Sequence, residues 1–216
     1  QSSRFLKAGY KLDKYMLPLG VSTVFEQVLS PFWRYFSTES FLFIAPKRSI
    51  DFIYNVAKSQ GIQKINIYEL NELTGGQADT VFRALVALNI DEPIWIFNID
   101  TIRSDFVMPR IRGESGGYLE VFEVEGDGWS FVHAYPDAND RVAYVAEKRR
   151  ISQYASTGLY YFSRASDFVD VFNVSKRIPL KFRDGGEDYI APLYNFLLSR
   201  GDDIQFGILD SSVITP

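Results

Sequence analysis

The sequence predicts a three-layer α/β/α, Rossmann-like domain with a mixed central sheet and a small antiparallel insertion. Three observations carry this. Over the first half, short apolar runs alternate with amphipathic ones in a β-α-β-α-β rhythm, which calls for a parallel sheet with helices packed on it. In the second half, apolar and charged residues alternate one by one between strong turn signals, as in antiparallel strands. The stretch from 105 to 117, where the pattern changes, lacks the composition of a linker, so residues 1–216 read as one domain.

Each element follows from its own pattern. "STVFEQVLSPFWRYF" places Val24, Phe25, Val28, Leu29 and Phe32 at helical spacing, behind Ser22 or Thr23 as N-cap. "SFLFIA" (Ser40–Ala45) is almost wholly apolar, as a buried parallel strand should be. "RSIDFIYNVAKSQG" is an amphipathic helix with Ser49 as cap and Gly61 as stop. "KINIYEL" is strand-like, "GGQADTVFRALVALNI" is a helix opened by two glycines, and "PIWIFNID" is a buried strand ending in a carboxylate. "YLEVFEV" opposes Leu119, Val121 and Val124 to Glu120 and Glu123, so one of its faces is expected in water. "WSFVHAY", "VAYVAEK" and "STGLYYF" continue as strands, with "EGDG" and "PDAND" as turns. "ASDFVDVFNVSK" and "EDYIAPLYNFLLSRG" read as helices, with Glu187 and Asp188 at the head of the second, where acidic residues favour the macrodipole.

Composition narrows the chemistry. The chain has no cysteine, which excludes disulfides, thiolate nucleophiles and zinc-thiolate sites and suits a cytoplasmic protein. Its single histidine, His133, excludes multi-histidine metal sites and reads as a strand residue. A net charge of −4 argues against a general nucleic-acid surface. No apolar run approaches the roughly 20 residues of a membrane span. Neither HExxH nor GxSxG is present. The 13 tyrosines and 18 phenylalanines fit a Phe-rich core and Tyr-rich strand faces, with sugar-stacking platforms as the alternative. Phosphate chemistry would therefore depend on a few local cations or on a metal held by carboxylates.

Open α/β sheets bind ligands beyond the carboxyl ends of their strands. "IFNIDTI" delivers Asn98 and Asp100 to such an end, where Asp100 suits either Mg²⁺ or the cap of a turn. In "LTGGQAD", Gly75, Gly76 and Gln77 form either a loop that lets a ligand approach a helix N-terminus or a plain strand-to-helix turn. The opening offers Ser2, Ser3, Arg4, Lys11 and Lys14, a set able to cradle a triphosphate or to form an exposed basic leader. "EKRR" (Glu147–Arg150) and "RDGGEDY" (Arg183–Tyr189) are solvated turns, or else the second supplies a further metal carboxylate from Asp184, Glu187 or Asp188.

In this order the pieces resemble the nucleotidyltransferase family that makes nucleoside-diphosphate sugars, whose domain is GT-A-like. "QSSRF…DKYMLPL" is similar to its signature "AG-x-G-S/T-R-F…P-K-x-L-x-P/V", with Ser3, Arg4 and Lys14 on matching positions. "TGGQADTV" resembles the loop that touches the nucleobase, and "NIDT" the strand-end metal aspartate. "EKRRISQYASTGLYYF" resembles the stretch "E-K-P…a-x-x-G-x-Y-x-F", and "GEDYIAPLYNFLLSRG" the late acidic helix start. Ser2 stands where the family has its second glycine, Asp13 where proline is common, and "EKRR" lacks the proline after Glu-Lys. The resemblance also leads one to expect a short apolar strand, ending in Ala-Gly, before Gln1.

The resemblance implies a reaction in which a nucleoside triphosphate and a sugar 1-phosphate, or a related phosphomonoester, give the nucleoside-diphosphate sugar and pyrophosphate. The attack would be in line and Mg²⁺-dependent, with no covalent intermediate. It implies that residues 1–104 bind the nucleotide and 105–216 the sugar or acceptor. Arg4 would hold the β- and γ-phosphates, Lys14 the α-phosphate, and Ser2, Ser3, Gly75, Gly76 and Gln77 the rest of the nucleotide. Asn98, Glu147, Lys148 and Gly158 would meet the second substrate, with Lys148 on its phosphate. Asp100 would hold Mg²⁺ with Glu187 or Asp188. A homo-oligomer stays open, and products of this kind feed bacterial polysaccharide synthesis. One competing reading is a glycosyltransferase of the same architecture, which would usually carry Asp-x-Asp where this chain has Asn98-Ile99-Asp100. The other is a non-catalytic nucleotide- or sugar-binding domain.

Overall fold

Thr23 begins the first helix by a reciprocal exchange: its Oγ1 accepts from the Glu26 amide at 3.3 Å, and the Glu26 carboxylate accepts from the Thr23 amide at 2.6 Å. The computed structural model of the chain describes residues 9, 12–99, 101–179 and 186–215, without the side chains of 138 and 139. Of the residues singled out above, Ser2, Ser3, Arg4, Lys11, Asp100, Arg183 and Asp184 lie outside the described residues.

In chain order, a 3₁₀ turn at Lys14–Met16 leads into a short hairpin of β1 (Pro18–Leu19) and β2 (Ser22–Thr23), and then into α1 (Val24–Leu29). The helical pattern predicted through Phe32 continues only as a 3₁₀ helix, Ser30–Tyr35, because Pro31 has no N–H for the α-helical ladder. β3 (Ser40–Pro46), α2 (Ile50–Ser59) and β4 (Lys64–Leu70) follow, then α3 (Gln77–Leu88), β5 (Ile94–Phe97) and β6 (Ile102–Arg103). β7 (Gly117–Glu123), β8 (Ser130–Tyr135), β9 (Ala138–Glu147) and β10 (Tyr154–Phe162) are successive strands. α4 (Ala165–Lys176), α5 (Tyr194–Arg200), β11 (Ile204–Leu209) and β12 (Ile214–Thr215) complete the described chain.

The described residues fall into two compact units. One lies within Gln1–Glu72, Asn98–Met108 and Ser212–Pro216. In it β3 and β4 run parallel, from Ser40↔Lys64 to Pro46↔Leu70, with α2 as the crossover. Its core is aromatic, as the composition predicts: Tyr15, Phe25 and Phe36 are buried with Leu29, Ile53 and Ala57, and Phe25 meets Phe43 edge-on at 5.5 Å.

The other unit lies within Leu73–Phe97 and Pro109–Ser211 and holds a six-stranded mixed sheet in the order β5-β10-β7-β11-β9-β8. β7 and β11 are parallel and the other neighbours antiparallel. β8 also reaches β10 at Phe131↔Ala155, so the pairings of β10, β7, β11, β9 and β8 close into a ring. The helices pack through aromatic rings, Phe82 of α3 on Phe172 of α4 at 4.5 Å and Phe162 of β10 between Phe168 and Tyr194. Among the described residues, no helix is long and apolar enough to cross a membrane.

Three sequence expectations are corrected here. Among the described residues, β5 has no pairing with β3 or β4. It pairs antiparallel with β10, where Trp95 packs in a tilted contact on its cross-strand partner Tyr161, ring centroids 4.7 Å apart. β7 has no water-facing side until Glu123: Glu120 is only 5% exposed, because the neighbouring strand supplies a donor. The last helix starts at Tyr194, after a 3₁₀ turn Ala191–Leu193, so Glu187 and Asp188 precede it instead of heading it. Pro192 and the use of the Asp188 main chain elsewhere explain the late start.

Candidate active site

β5, β7 and β11 all run the same way, and ligand chemistry is expected beyond their carboxyl ends. β5 ends at Phe97, opposite Leu159 of β10, and Asn98 follows it, half-buried. The β10 residue before Leu159 is Gly158, in a positive-φ conformation (+87°) where the register with β7 slips between Ser156 and Tyr160. This bulge re-aims the strand. There the Thr157 hydroxyl donates to the Glu120 carboxylate at 3.0 Å, a hydrogen bond that offsets part of the cost of burying that side chain.

Glu147, the last residue of β9, is buried opposite Ser130 of β8, and the Ser130 hydroxyl donates to its carboxylate. Tyr160 completes this buried cluster with Ser130 and Ser156. Burial pushes its phenol up to about 12; the Ser156 hydrogen bond opposes the rise and the Glu147 charge adds to it. Lys148 comes next, with φ +52° and its amide donating to the Trp129 carbonyl at 2.8 Å. A left-handed backbone costs a non-glycine residue on the order of 1 kcal/mol or more and concentrates at functional positions. The Lys148 ammonium donates to the Tyr189 hydroxyl and lies 4.7 Å from the ring centroid. That hydrogen bond raises the Lys148 pKa, with burial opposing it and the charges of Tyr189, Glu147 and Glu187 adding to the rise.

The glycine loop is built around Asp188. The Asp188 amide donates to the Gly75 carbonyl at 3.0 Å, and the Ala78 amide donates to the Asp188 carbonyl at 2.8 Å. A β-carbon on Gly76 would lie 2.6 Å from both the nitrogen and the oxygen of Asp188, and one on Gly75 would strike its carboxylate. The two glycines thus admit a protein backbone to the start of α3, whose first residue, Gln77, is half-buried. The Asp188 carboxylate is 2% exposed and accepts from the Lys176 ammonium at 3.0 Å. Asp79 accepts from the Gly75 amide at 2.8 Å and pairs with Arg83 at 3.1 Å. Burial raises its carboxyl pKa, but the Arg83 and Gly75 hydrogen bonds outweigh this and hold it below the ordinary value.

Residues 187–189 therefore tie two predicted clusters together: Asp188 to Gly75, Gly76 and the start of α3, and Tyr189 to Lys148. Glu187 is exposed, and its charge acts on Lys148. Lys14 lies in the first unit, at the start of the 3₁₀ turn. Among the described residues, no three His, Cys, Asp or Glu side chains cluster as a metal site. Sequence reasoning missed Tyr189 as the Lys148 partner, Lys176 as the Asp188 partner and Glu120 as a buried charge. It also passed over Asp210, exposed immediately past the carboxyl end of β11. "FGILD" repeats the signal of "IFNID", an apolar strand delivering a carboxylate.

A nucleoside-diphosphate-sugar pyrophosphorylase from Vibrio cholerae RC9 is 39% identical to this chain, with a TM-score of 0.91 over 99% of this chain and 90% of that one. The inositol-1-phosphate CTP transferase of T. maritima (13% identity, TM-score 0.72, 97% and 82% covered) shares the fold. So does a UDP-glucose pyrophosphorylase complexed with UDP-glucose (13%, 0.72, 96% and 86%). No family model and no curated protein matches the chain.

Proposed function

Since this chain belongs to the nucleoside-diphosphate-sugar pyrophosphorylases, within the wider sugar-phosphate nucleotidyltransferases, we propose that it transfers a nucleotidyl group from a nucleoside triphosphate to a sugar 1-phosphate. A phosphate oxygen of the sugar phosphate attacks the α-phosphorus in line. The bond from that phosphorus to the bridging oxygen breaks, and the electron pair leaves with pyrophosphate. No proton has to be removed from a weak acid, so the protein's contribution is positioning and charge neutralisation.

The observation that best supports this reading is Lys148, held in a strained backbone beside the buried Glu147, with its ammonium on Tyr189. An incoming phosphate is a stronger partner than a phenol, so the ammonium would exchange Tyr189 for the sugar phosphate. Glu147 would accept from sugar hydroxyls, and Gly158 would admit the sugar to the backbone; Asn98 is the further substrate contact. Arg4 and Lys14 would hold the triphosphate, with Ser2, Ser3, Gly75, Gly76 and Gln77 assigned to the nucleotide.

The carboxylates Asp100, Glu187 and Asp210 are hard oxygen donors of the kind Mg²⁺ takes, and they are the residues proposed to hold it. Asp188, enclosed and paired with Lys176, fits a structural role better than a ligand's. Mg²⁺, when bound, supplies charge neutralisation on the phosphates. A cytoplasmic enzyme whose product feeds polysaccharide synthesis belongs to the same proposal.

The test is a screen of nucleoside triphosphates against sugar 1-phosphates and phosphocholine, with pyrophosphate release as readout. Mg²⁺-dependent release with one pair is expected. Silence across the panel, together with cleavage of nucleoside-diphosphate sugars, would replace this reading with the glycosyltransferase.

A further inference from the structure

Lys14 is flanked by two anchored residues. Tyr15 is buried in the first unit's core, against Phe25 and Phe52. Asp13 on the other side has φ −64° and ψ 147°. That φ is the value a proline ring imposes, but no ring imposes it here. The Asp13 carboxylate is gripped instead. Arg48 donates Nη2 to Oδ1 at 2.9 Å and Nε to Oδ2 at 3.0 Å, a bidentate fork. The Tyr15 hydroxyl donates to Ser49 Oγ at 2.6 Å, and Ser49 donates on to Asp13 Oδ2 at 3.2 Å. The Asp13 carbonyl closes the turn over Lys14 by accepting from the Met16 amide at 2.9 Å.

Ser49 was expected to cap α2 with its side chain. It holds the N-cap position, yet its hydroxyl is spent on Asp13. Arg48 is 63% exposed, and an ion pair that open to water adds little to stability. The network's main effect is thus local: it fixes the backbone that carries Lys14.

We propose that Asp13, clamped by Arg48 and Ser49, is a positioning residue that orients Lys14 toward a nucleoside triphosphate, an ion pair taking the place of a proline's covalent restraint. This rests on the reading that Lys14 meets the α-phosphate. Pre-setting the turn removes ordering that the triphosphate would otherwise have to impose on binding.

The test compares Asp13→Ala, Arg48→Ala and Asp13→Pro with the parent in steady-state kinetics and in equilibrium binding of UTP, dTTP, CTP and ATP, each in turn. Asp13→Ala and Arg48→Ala are expected to raise KM for the triphosphate about tenfold and leave KM for the sugar 1-phosphate within about twofold. Asp13→Pro, whose ring restores the φ, is expected to recover triphosphate affinity to within about threefold of the parent. Asp13→Asn, which keeps the Ser49 hydrogen bond, is read in the same way if Asp13→Ala does not fold. Unchanged triphosphate KM in folded Asp13→Ala overturns the inference. So does tighter triphosphate binding, since a freed Arg48 would then be the phosphate ligand. A folded Asp13→Pro as impaired as Asp13→Ala overturns it too. A parent that binds none of the triphosphates and releases no pyrophosphate overturns the catalytic reading and this inference with it. An active parent with an indifferent Asp13 overturns this inference alone.

Discussion

Lys148 keeps a left-handed backbone although it carries a β-carbon, and its ammonium sits on the Tyr189 hydroxyl. Both features were invisible in "AEKRR", where the run of charge looks like any solvated turn. Lys148→Ala is expected to lower kcat/KM for the sugar phosphate on the order of 10²–10³-fold, as loss of a phosphate-clamping charge does. Tyr189→Phe keeps the ring and removes the hydrogen bond. Because that hydrogen bond is what chiefly raises the Lys148 pKa, its loss moves the pKa down toward the ordinary value of 10.5. The alkaline limb of the kcat/KM profile, which reports the free enzyme, should shift to lower pH in Tyr189→Phe; an unmoved limb would detach Lys148 from that titration.

Among the elements, α3 shows most directly how packing assigns a role to a sequence signal. "GGQAD" reads as a ligand loop or as a plain turn. The structure fills the space over Gly76 with the Asp188 backbone, 2.6 Å from where a β-carbon would stand, and Gly76 itself has φ +155°. Gly76→Ala is therefore expected to cost about 3 kcal/mol in urea unfolding, from the clash and the backbone strain together. Gly75→Ala should cost less, because it meets the Asp188 side chain, which can rotate at the expense of its Lys176 pair. Elements whose periodicity is local were legible in the sequence: "ASDFVDVFNVSK" is α4 residue for residue. β7 was not, because alternation reports which residues share a face and not what covers that face. Glu120 looks solvated until β10 brings Thr157 against it.

At the scale of the whole molecule, two carboxyls in different units, Asp13 and Asp79, have pKa values below the ordinary 3.8. For Asp13 the Arg48 hydrogen bond is the largest cause, opposed by burial. A carboxyl depressed in the folded state contributes stability that is fully present above its unfolded pKa and is lost as pH falls through the folded one. The melting temperature should therefore fall as pH drops below about 3.8, less steeply in Asp79→Asn than in the parent and only slightly less so in Asp13→Asn, whose Arg48 partner is open to water. Parallel slopes for all three proteins would remove these groups from the acid limb.

By itself the sequence determined that the fold is mixed α/β with a mixed sheet, the order of most elements and the chemical types available for phosphate work. Apolar periodicity, caps and turn residues act within a few residues of one another, and the absence of cysteine needs no structure to interpret. Only the tertiary structure decided which strand β5 joins, that Glu120 is buried, and that the paired glycines receive Asp188. It alone showed that Asp13 is held by Arg48. These depend on partners from 35 to more than 100 residues away, and a one-dimensional pattern carries no record of which distant group supplies the hydrogen bond, the charge or the covering atom.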